Sequence, residues 1–286
     1  MRTAVVIPTL DEEASIAGVV RALPRQWVDR VIVADGGSSD ATAARAREAG
    51  AEVIAAGRGY GRACLAGALA ASDADIVVFM DGDGADDPAS IAALVEPVRT
   101  DAFDFVIASR ARGAREPGSI GWHQLLAGRL AGLGMRLLYG VPFTDMCAFR
   151  AIRRERLLAL GMREMTYGWN IEMQMRAARA RLRILEIPVP YRRRAGGESK
   201  VAGSLSGTLR ASARIIATFM RVATQADARA ASPRSCGERV GVRGAEAPRR
   251  TPLVMTRGET PSPRPSPPKG GEAARMPVQV IQERDA

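Results

Sequence analysis

The sequence has few of the residues that build metal centres or disulfide frameworks. It contains one histidine, His123, and three cysteines, Cys64, Cys147 and Cys236. A single histidine excludes a histidine-rich metal site, and the cysteine spacing matches neither a zinc motif nor a disulfide framework. Because disulfides persist mainly in oxidising compartments, the simplest location for such a chain is the reducing cytoplasm.

Long hydrophobic runs are also missing. A membrane-spanning helix needs about 18 or more uninterrupted apolar residues, and the sequence contains no such stretch, so we expect no transmembrane helix. The short apolar run at residues 3–7 is broken by Pro8 and followed by acidic residues. This pattern predicts a first β-strand rather than a signal peptide.

The residues that are present favour a basic, tightly packed α/β protein. The chain has 286 residues, of which 47% are hydrophobic and only 5% aromatic. This length and composition can bury a sizeable core in one large domain or two small ones. The formal net charge of +10 suits an anionic partner. Charge alone does not distinguish nucleotides, phosphorylated lipids, membrane surfaces and nucleic acid.

Strand and helix patterns alternate through the first 109 residues. Short runs rich in β-branched residues predict strands at residues 3–7, 30–34, 51–55, 76–80 and 103–108. Helical patterns lie between them, at residues 12–23, 39–49, 61–71 and 88–98. We take Asp11, and Ser39 or Asp40, as N-caps of the first two helices. The alternation predicts an α/β fold with a Rossmann-like, mostly parallel central sheet and helices on both faces.

The second half of the sequence is less regular. Its patterns predict helices at residues 120–139, 168–181 and 205–222 and strands at residues 147–152 and 182–189. The last helix carries Arg210, Arg214 and Arg221 at near-helical spacing beside apolar residues. Such a helix can lie on an anionic membrane surface. It can equally pack its apolar side on the domain and leave the arginines in water.

The composition changes near residue 225. Residues 225–286 contain no aromatic residue and nine of the seventeen prolines. A segment of this composition buries too little apolar surface to fold. We therefore expect one folded domain at residues 1–224 and a low-complexity, disordered tail at residues 225–286.

The most informative motif is the Asp81-Gly82-Asp83 sequence directly after the strand predicted at residues 76–80. Open α/β sheets bind ligands at the carboxyl ends of their strands. Two carboxylates separated by one glycine can turn towards the same small hard cation, which in turn carries phosphate oxygens. A plain acidic turn is the alternative. In this position the pair predicts a divalent cation, Mg²⁺ or Mn²⁺, with Asp81 and Asp83 as ligands.

Three strand-end motifs together resemble a known family. Ile-Pro-Thr-Leu-Asp-Glu-Glu, Ala-Asp-Gly-Gly-Ser-Ser-Asp-Ala-Thr and Phe-Met-Asp-Gly-Asp-Gly-Ala-Asp-Asp-Pro begin at residues 7, 34 and 79. Their order and spacing resemble the family 2 glycosyltransferases, which have the GT-A fold. Motifs at residues 144–150, 168–172, 186–191 and 197–200 resemble the branch of dolichyl- and polyprenyl-phosphate mannosyl- and glucosyltransferases. The likeness covers residues 3 to about 203.

The resemblance implies an inverting glycosyltransferase with a nucleoside-diphosphate sugar as donor and no nucleic-acid partner. Asp81 and Asp83 would face the cation and the diphosphate. The remaining donor-binding residues that the resemblance implies are Pro8, Leu10, Glu12, Asp35 and Arg62. For Arg62, a solvated position on a helix is an equal alternative. The implied acceptor is a polyprenyl phosphate at the inner membrane surface, with peripheral membrane contact, and a soluble small acceptor is the alternative.

Four residues in the second half are the candidates for catalysis: Asp145, Glu172, Arg194 and Lys200. Asp145 is either the general base for an acceptor hydroxyl or, with a phosphate acceptor that needs no base, the residue that orients Arg150. Glu172 is either catalytic or a helix-face acid paired with Arg176 four residues later. Arg194 and Lys200 belong to a glycine-rich basic loop that could close over phosphate, and a solvated charge run is the alternative.

The chain departs from the lipid-phosphate branch at two points. Ala85 stands where some members have a metal-binding glutamine, so Asp86, Asp87 or water would complete the coordination. The C-terminal membrane spans of many members are absent. Two other functions remain: a nucleotide-sugar-binding protein without turnover, and a sugar-phosphate nucleotidyltransferase. The nucleotidyltransferase is disfavoured because no glycine-rich basic signature follows the first strand.

Overall fold

A computed structural model describes residues 1–195, 205–225 and 279–280. It divides the chain into one unit of residues 1–225 with 278–286 and a second of residues 226–277. The second unit lies outside the described residues, and so does Lys200. Among the helices that are described, none has the length and apolar character needed to cross a membrane.

A mostly parallel sheet forms the centre of the first unit, with strand order β3-β2-β1-β4-β6-β5-β7-β8. The strands are β1 Thr3–Thr9, β2 Arg30–Asp35, β3 Glu52–Ala55, β4 Ile76–Phe79, β5 Phe105–Ser109, β6 Arg150–Arg153, β7 Ile184–Pro188 and β8 Gln279–Val280. Strand β6 runs antiparallel between β4 and β5, and β8 runs antiparallel to β7; the other pairs are parallel.

Helices cover both faces of the sheet. They are α1 Ile16–Ala22, α2 Thr42–Glu48, α3 Tyr60–Ala70, α4 Ile91–Arg99, α5 Trp122–Tyr139, α6 Arg154–Ala159, α7 Trp169–Arg179 and α8 Leu205–Thr224, with a 3₁₀ turn Pro88–Ser90 before α4. Apolar residues of α1, α2 and α4 fill one core layer. Residues of α3, α6 and α7 fill the other, with further residues of α5 and α8 packed against them. This architecture confirms the predicted α/β fold.

Several element boundaries differ from the sequence prediction; α2, for example, begins at Thr42 after Ala41, so neither Ser39 nor Asp40 is its N-cap. Two of the differences bear on the site, and tertiary contacts explain the first. Helix α1 begins at Ile16 rather than near residue 12, so Asp11 is not its N-cap. The backbone N–H groups of residues 11, 12 and 13 donate instead to the side chains of Ser38, Thr42 and Asp40 at 2.9, 2.8 and 3.2 Å. The segment is therefore held by the neighbouring loop and does not need helical hydrogen bonds.

The second difference lies at β6. This strand begins at Arg150 rather than at residue 147. The Arg150 guanidinium, which is fully buried, donates to the carbonyl oxygens of Cys147 and Ala148. Because the Arg150 side chain supplies hydrogen bonds to these carbonyl oxygens, they do not need a neighbouring strand. Residues 147–149 therefore approach the sheet edge as a loop. Because β6 is antiparallel, this loop meets the residues that follow β4 and β5.

We propose that residues 1–225 form the functional domain and that the segment from residue 226 onward is dispensable for folding. Gln225 belongs to the domain, because its side-chain and backbone oxygens accept hydrogen bonds from Arg176 and Arg179. Removing residues 226–286 also removes β8, which pairs with β7 through only two residues.

We expect this truncation to lower the melting temperature by no more than about 2–4 °C, the shift that accompanies about 1 kcal/mol in a domain of this size. Thermal unfolding followed by circular dichroism checks the expectation. A larger decrease would show that the removed segment is part of the folded core.

Candidate active site

A cavity of about 900 Å³ opens where the parallel strands end. The loops after β1, β2 and β4 form one side of it, through residues such as Pro8, Gly36 and Asp83. The other side comes from the second half of the chain, through residues such as Arg110, Asp145 and Arg194. Parallel strands bring their carboxyl ends to one edge, and antiparallel β6 begins at that same edge. The topology therefore brings distant segments of the sequence to one site.

Three acidic side chains crowd together after β4. Asp83 and Asp86 are buried, with only 2% and 3% of their surface exposed. The Tyr60 hydroxyl donates to Asp81 Oδ1 at 3.3 Å, and the Asp81 N–H donates to Asp86 Oδ2 at 3.2 Å. Burial and the nearby charge of Asp83 raise the pKa of Asp81 to about 6. Burial and the charges of Asp81 and Asp83 raise the pKa of Asp86 well above its usual range.

Arg194 offsets part of this negative charge. Its Nε lies 2.9 Å from Asp83 Oδ2, and its Nη1 lies 3.9 Å from Glu12 Oε1. Backbone contacts hold its segment against the acidic loop, because the N–H of Ala195 donates to Asp83 O at 2.9 Å. These contacts hold the loop after β7 against the loop after β4.

Arg110 is another arginine that lines the cavity, and Asp145 holds it. Arg110 Nε and Nη2 donate to Asp145 Oδ2 and Oδ1, each at 2.8 Å, and the Arg110 backbone N–H donates to Oδ2 at 2.9 Å. Burial alone would raise the pKa of Asp145, but the charge and hydrogen bonds of Arg110 hold it below its usual value. The guanidinium also lies 5.0 Å from the centre of the Tyr191 ring. The pair is fixed in place by charge and by stacking.

Comparisons with known proteins identify the family. The family model for glycosyl transferase family 2 matches residues 4–160. The chain belongs to this family. An uncharacterized glycosyltransferase of Mycobacterium tuberculosis is 38% identical over 210 residues, which cover 72% of this chain and 92% of the relative. The undecaprenyl-phosphate mannosyltransferase of Micrococcus luteus is 33% identical over 226 residues, which cover 72% of this chain and 90% of the relative.

The fold of this glycosyltransferase is also similar to solved structures. Glucosyl-3-phosphoglycerate synthase from Mycobacterium tuberculosis, crystallised with Mn²⁺, UDP-glucose and phosphoglyceric acid, superposes with a TM-score of 0.60. The two sequences are 26% identical, and the match covers 79% of this chain and 81% of that one. The resemblance to family 2 glycosyltransferases, the GT-A fold and the enzymatic class predicted from the sequence are confirmed.

Most of the predicted site residues of this glycosyltransferase lie around the one cavity. They are Pro8, Leu10, Glu12, Asp81, Asp83, Asp145 and Arg194. Asp35 ends β2 next to the lining residue Gly36, and its carboxylate accepts the N–H groups of Gly37 and Ser38 at 3.3 and 3.2 Å. Arg62 is exposed on α3 and is not among the cavity's lining residues.

Glu172 lies away from the cavity. It is fully buried, and its Oε1 lies 2.9 Å from Arg176 Nε, the i+4 pairing that the sequence offered as its alternative role. Its Oε2 accepts the backbone N–H groups of Arg163 and Glu164 at 3.0 and 2.6 Å. These contacts brace the loop before α7. Within the described part of the chain, the partners of this carboxylate, which also include Arg221, are not among the residues that line the cavity.

The sequence prediction missed Arg110 and Tyr60. Arg110 follows β5 directly, so the strand-end rule that selected Asp35 and Asp81 could have selected it as well. It also differs from the expected partner of Asp145, which was Arg150. Tyr60 begins α3 and carries no local signal, because its contact with Asp81 depends on the packing of α3 beside β1 and β2.

The acids after β4 fit a divalent cation. Asp81 and Asp83 are adjacent oxygen donors on a glycine-containing loop, and the raised pKa of Asp81 reflects negative charge that burial leaves unbalanced. A bound cation would favour the ionised form of such a carboxylate. Among the described residues, no cluster of three or more His, Cys, Asp or Glu side chains is arranged to hold a metal. Phosphate or water oxygens would therefore complete the coordination shell.

The raised pKa of Asp81 predicts a pH-dependent cost to stability. The unfolded chain ionises this group near a pKa of about 3.9, and the folded protein does so near 6. Between those values the folded state binds more protons, so stability falls as the pH rises through this window. In EDTA, we expect Asp81→Asn to be more stable than the wild type at about pH 7.5, with the advantage shrinking towards about pH 4.5.

Urea unfolding at the two pH values measures this difference. Asp73→Asn is the matched control, because Asp73 pairs with Arg30 and Arg2 and its pKa is lowered by the hydrogen bond from Arg30. The lowered pKa of Asp73 lies below both pH values, so the control should be less stable than the wild type at both of them. If the Asp81→Asn variant were less stable than the wild type at the higher pH, the assignment of a raised pKa to Asp81 would be wrong.

Proposed function

We propose that this glycosyltransferase moves a sugar from a nucleoside diphosphate to a lipid phosphate of the polyprenyl type, with inversion at the anomeric carbon. The observation that carries the proposal is the pairing, in one cavity, of acids suited to a cation and arginines suited to a phosphate. Asp81 and Asp83 form the acidic part, and Arg110 and Arg194 form the basic part.

The donor would lie across the ends of β1, β2 and β4. In this proposal, Pro8, Leu10, Glu12 and Asp35 border the base and ribose, with Arg62 at the outer edge. Asp81 and Asp83 would hold a divalent cation, Mg²⁺ or Mn²⁺, which offsets the charge that grows on the departing diphosphate. The structural neighbour crystallised with Mn²⁺ and UDP-glucose supports this arrangement.

The acceptor phosphate would lie against Arg110. An oxygen of that phosphate attacks the anomeric carbon while the bond from this carbon to the donor's diphosphate breaks, and the bonding electrons leave with the diphosphate. A phosphate is already anionic at neutral pH, so the attack needs no general base. Both oxygens of Asp145 bind Arg110, and the lowered pKa of Asp145 makes it a weak proton acceptor. We therefore assign Asp145 the role of positioning Arg110.

Arg194 and Lys200 would close over the phosphates from the loop after β7. Arg194 already contacts Asp83, and an incoming diphosphate would give it an alternative anionic partner. The assignment of Lys200 rests on sequence alone. A catalytic role for Glu172 stays a prediction, and its contacts with Arg176 and the loop before α7 favour a structural role.

A lipid acceptor is favoured by the relatives. The undecaprenyl-phosphate mannosyltransferase of Micrococcus luteus and the polyprenol monophosphomannose synthase of Mycolicibacterium smegmatis are 33% and 30% identical to this chain. We propose that the enzyme works in the cytoplasm at the inner face of the membrane. A soluble phosphorylated acceptor is the second candidate, because the neighbour glucosyl-3-phosphoglycerate synthase was crystallised with phosphoglyceric acid.

A panel of donors and acceptors tests the proposal. UDP- and GDP-sugars are each incubated with Mg²⁺ or Mn²⁺ and either a short-chain polyprenyl phosphate or phosphoglyceric acid. We expect transfer to the polyprenyl phosphate with one class of donor. Transfer to phosphoglyceric acid alone would favour the soluble acceptor. Donor binding without hydrolysis or transfer would instead indicate a nucleotide-sugar-binding protein without turnover.

Asp83→Asn should abolish transfer and leave the fold intact, because Asp83 lies on a strand-end loop rather than within the apolar core. EDTA should abolish wild-type transfer, and added Mg²⁺ or Mn²⁺ should restore it. Asp73→Asn, on an exposed turn, is the control and should keep full activity. Transfer that continues in EDTA would show that Asp83 does not act through a cation.

A further inference from the structure

Helix α5 presents a stripe of large apolar side chains to solvent. Trp122, Leu126, Leu130, Leu133 and Leu137 recur at intervals of three and four residues, so they share one face of the helix. Trp122 is 76% exposed, Leu130 60% and Leu137 78%. Single exposed leucines are common on soluble proteins, but a contiguous stripe of this length marks an interaction surface.

Glycines on the opposite face of α5 keep this stripe outside. Gly128 and Gly132 face the loop before β6, and a Cβ atom at Gly132 would lie 1.8 Å from the carbonyl oxygen of Phe143. The helix therefore packs by its smallest residues. Rotating it to bury the leucines would drive side chains into that backbone, so the exposure follows from the packing of the fold.

Helix α8 extends the same surface. It packs against α5 where the Phe219 ring approaches Gly134, and it exposes Ile216 and Met220. Two of its three arginines are engaged with the domain, because Arg214 and Arg221 lie 3.1 and 3.5 Å from the carboxylate of Glu164. Apolar residues of α8 pack on the domain, as in the second alternative that the sequence left open, but these two arginines pair with Glu164 and do not lie in water alone. The structure therefore makes α5 the main candidate for the contact.

The charged side chains that α5 and α8 themselves contribute are all arginines. Neither α5 nor α8 contains an acidic residue. Arg129 and Arg136 are exposed on α5, and Arg210 is exposed near the start of α8. Exposed apolar residues bordered by arginines match the two attractions of an anionic lipid surface, burial of apolar area and contact with negative headgroups.

We propose that α5, together with the outer face of α8, docks this protein on an anionic membrane. The surface borders the cavity, because Gln124 and Ala127 of α5 and Ser212 and Ile215 of α8 line it. A protein seated on this face would hold the cavity next to the lipid headgroups. The proposal deepens the proposed function and rests on its placement of the enzyme at a membrane, and it names the contact surface from exposure, packing and charge.

Vesicle sedimentation of the full chain tests the docking surface. Vesicles of phosphatidylcholine alone are compared with vesicles that also hold about 30% phosphatidylglycerol, at about 50 and 500 mM salt. We expect the wild type to sediment with the anionic vesicles at low salt and to be partly released at high salt. The triple variant Leu130→Gln, Leu133→Gln, Leu137→Gln should bind at least about tenfold more weakly, since each leucine contributes apolar burial.

Two further variants separate the contributions. Leu69→Gln with Leu158→Gln replaces exposed leucines on α3 and α6 and should bind like the wild type. Arg129→Gln with Arg136→Gln should weaken binding and reduce its salt dependence. Circular dichroism melts of each variant confirm that it is folded. Without vesicles, the leucine variant should transfer sugar from the donor to a soluble short-chain acceptor as fast as the wild type does. If the wild type itself showed no such transfer, that result would count against the proposed function and not against the docking surface.

Three kinds of result would overturn the docking proposal. The first is a wild type that stays in the supernatant with anionic vesicles, or a leucine variant that binds as tightly as the control. The second is a wild type that sediments as a dimer without vesicles while the leucine variant is monomeric, which would assign the face to a second copy of the chain. The third is vesicle binding that appears only when residues 226–286 are removed, which would assign the face to the chain's own C-terminal segment.

Discussion

Negative charge at the end of β4 is the constraint on which the site depends. Asp81, Asp83 and Asp86 lie close together, and burial with the charges of the neighbouring carboxylates raises the pKa of Asp81 and of Asp86. Arg110 and Arg194 supply the opposing charge from segments that follow β5 and β7. The acidic loop therefore fastens the two halves of the chain together. Under the proposed function, the same balance leaves room for a cation and a diphosphate, whose charges can replace the Arg194–Asp83 contact.

The strands and the ends of the strands could be predicted because their signals are local. Short β-branched runs gave the parallel strands, and acids directly after them gave Asp81 and Asp83. The start of α1 could not be predicted, because the N–H groups of residues 11–13 are satisfied by side chains of residues 38–42. For Glu172 the sequence offered the Arg176 pairing only as an alternative, since its contacts with the N–H groups of residues 163 and 164 carry no local signal. Helix boundaries and side-chain partners that depend on contacts distant in sequence cannot be predicted from local sequence patterns.

Helix α5 shows how an apolar pattern can mislead. Leucines at helical spacing normally indicate the buried face, and the charged residues indicate the exposed one. Here Gly128 and Gly132, four residues apart, lie against the loop before β6, and the leucines face outward. Glycines spaced by one turn were the available signal, because only they permit a helix to approach backbone so closely. Helix α5 thus borders the cavity and also carries the exposed apolar surface.

The placement of β6 between β4 and β5 has a consequence for folding. Strands β4 and β5 do not pair with each other, because β6 lies between them. The edges of β4 and β5 that face β6 therefore stay unpaired until residues 150–153 are present. During synthesis the first 109 residues can assemble β1 to β4, whereas β5 must wait for a strand made about 40 residues later. Such long-range pairing slows folding and leaves strand edges exposed meanwhile. Assembly of the cavity is therefore a late event, and the chain gains its acidic loop before it gains the arginines that stabilise it.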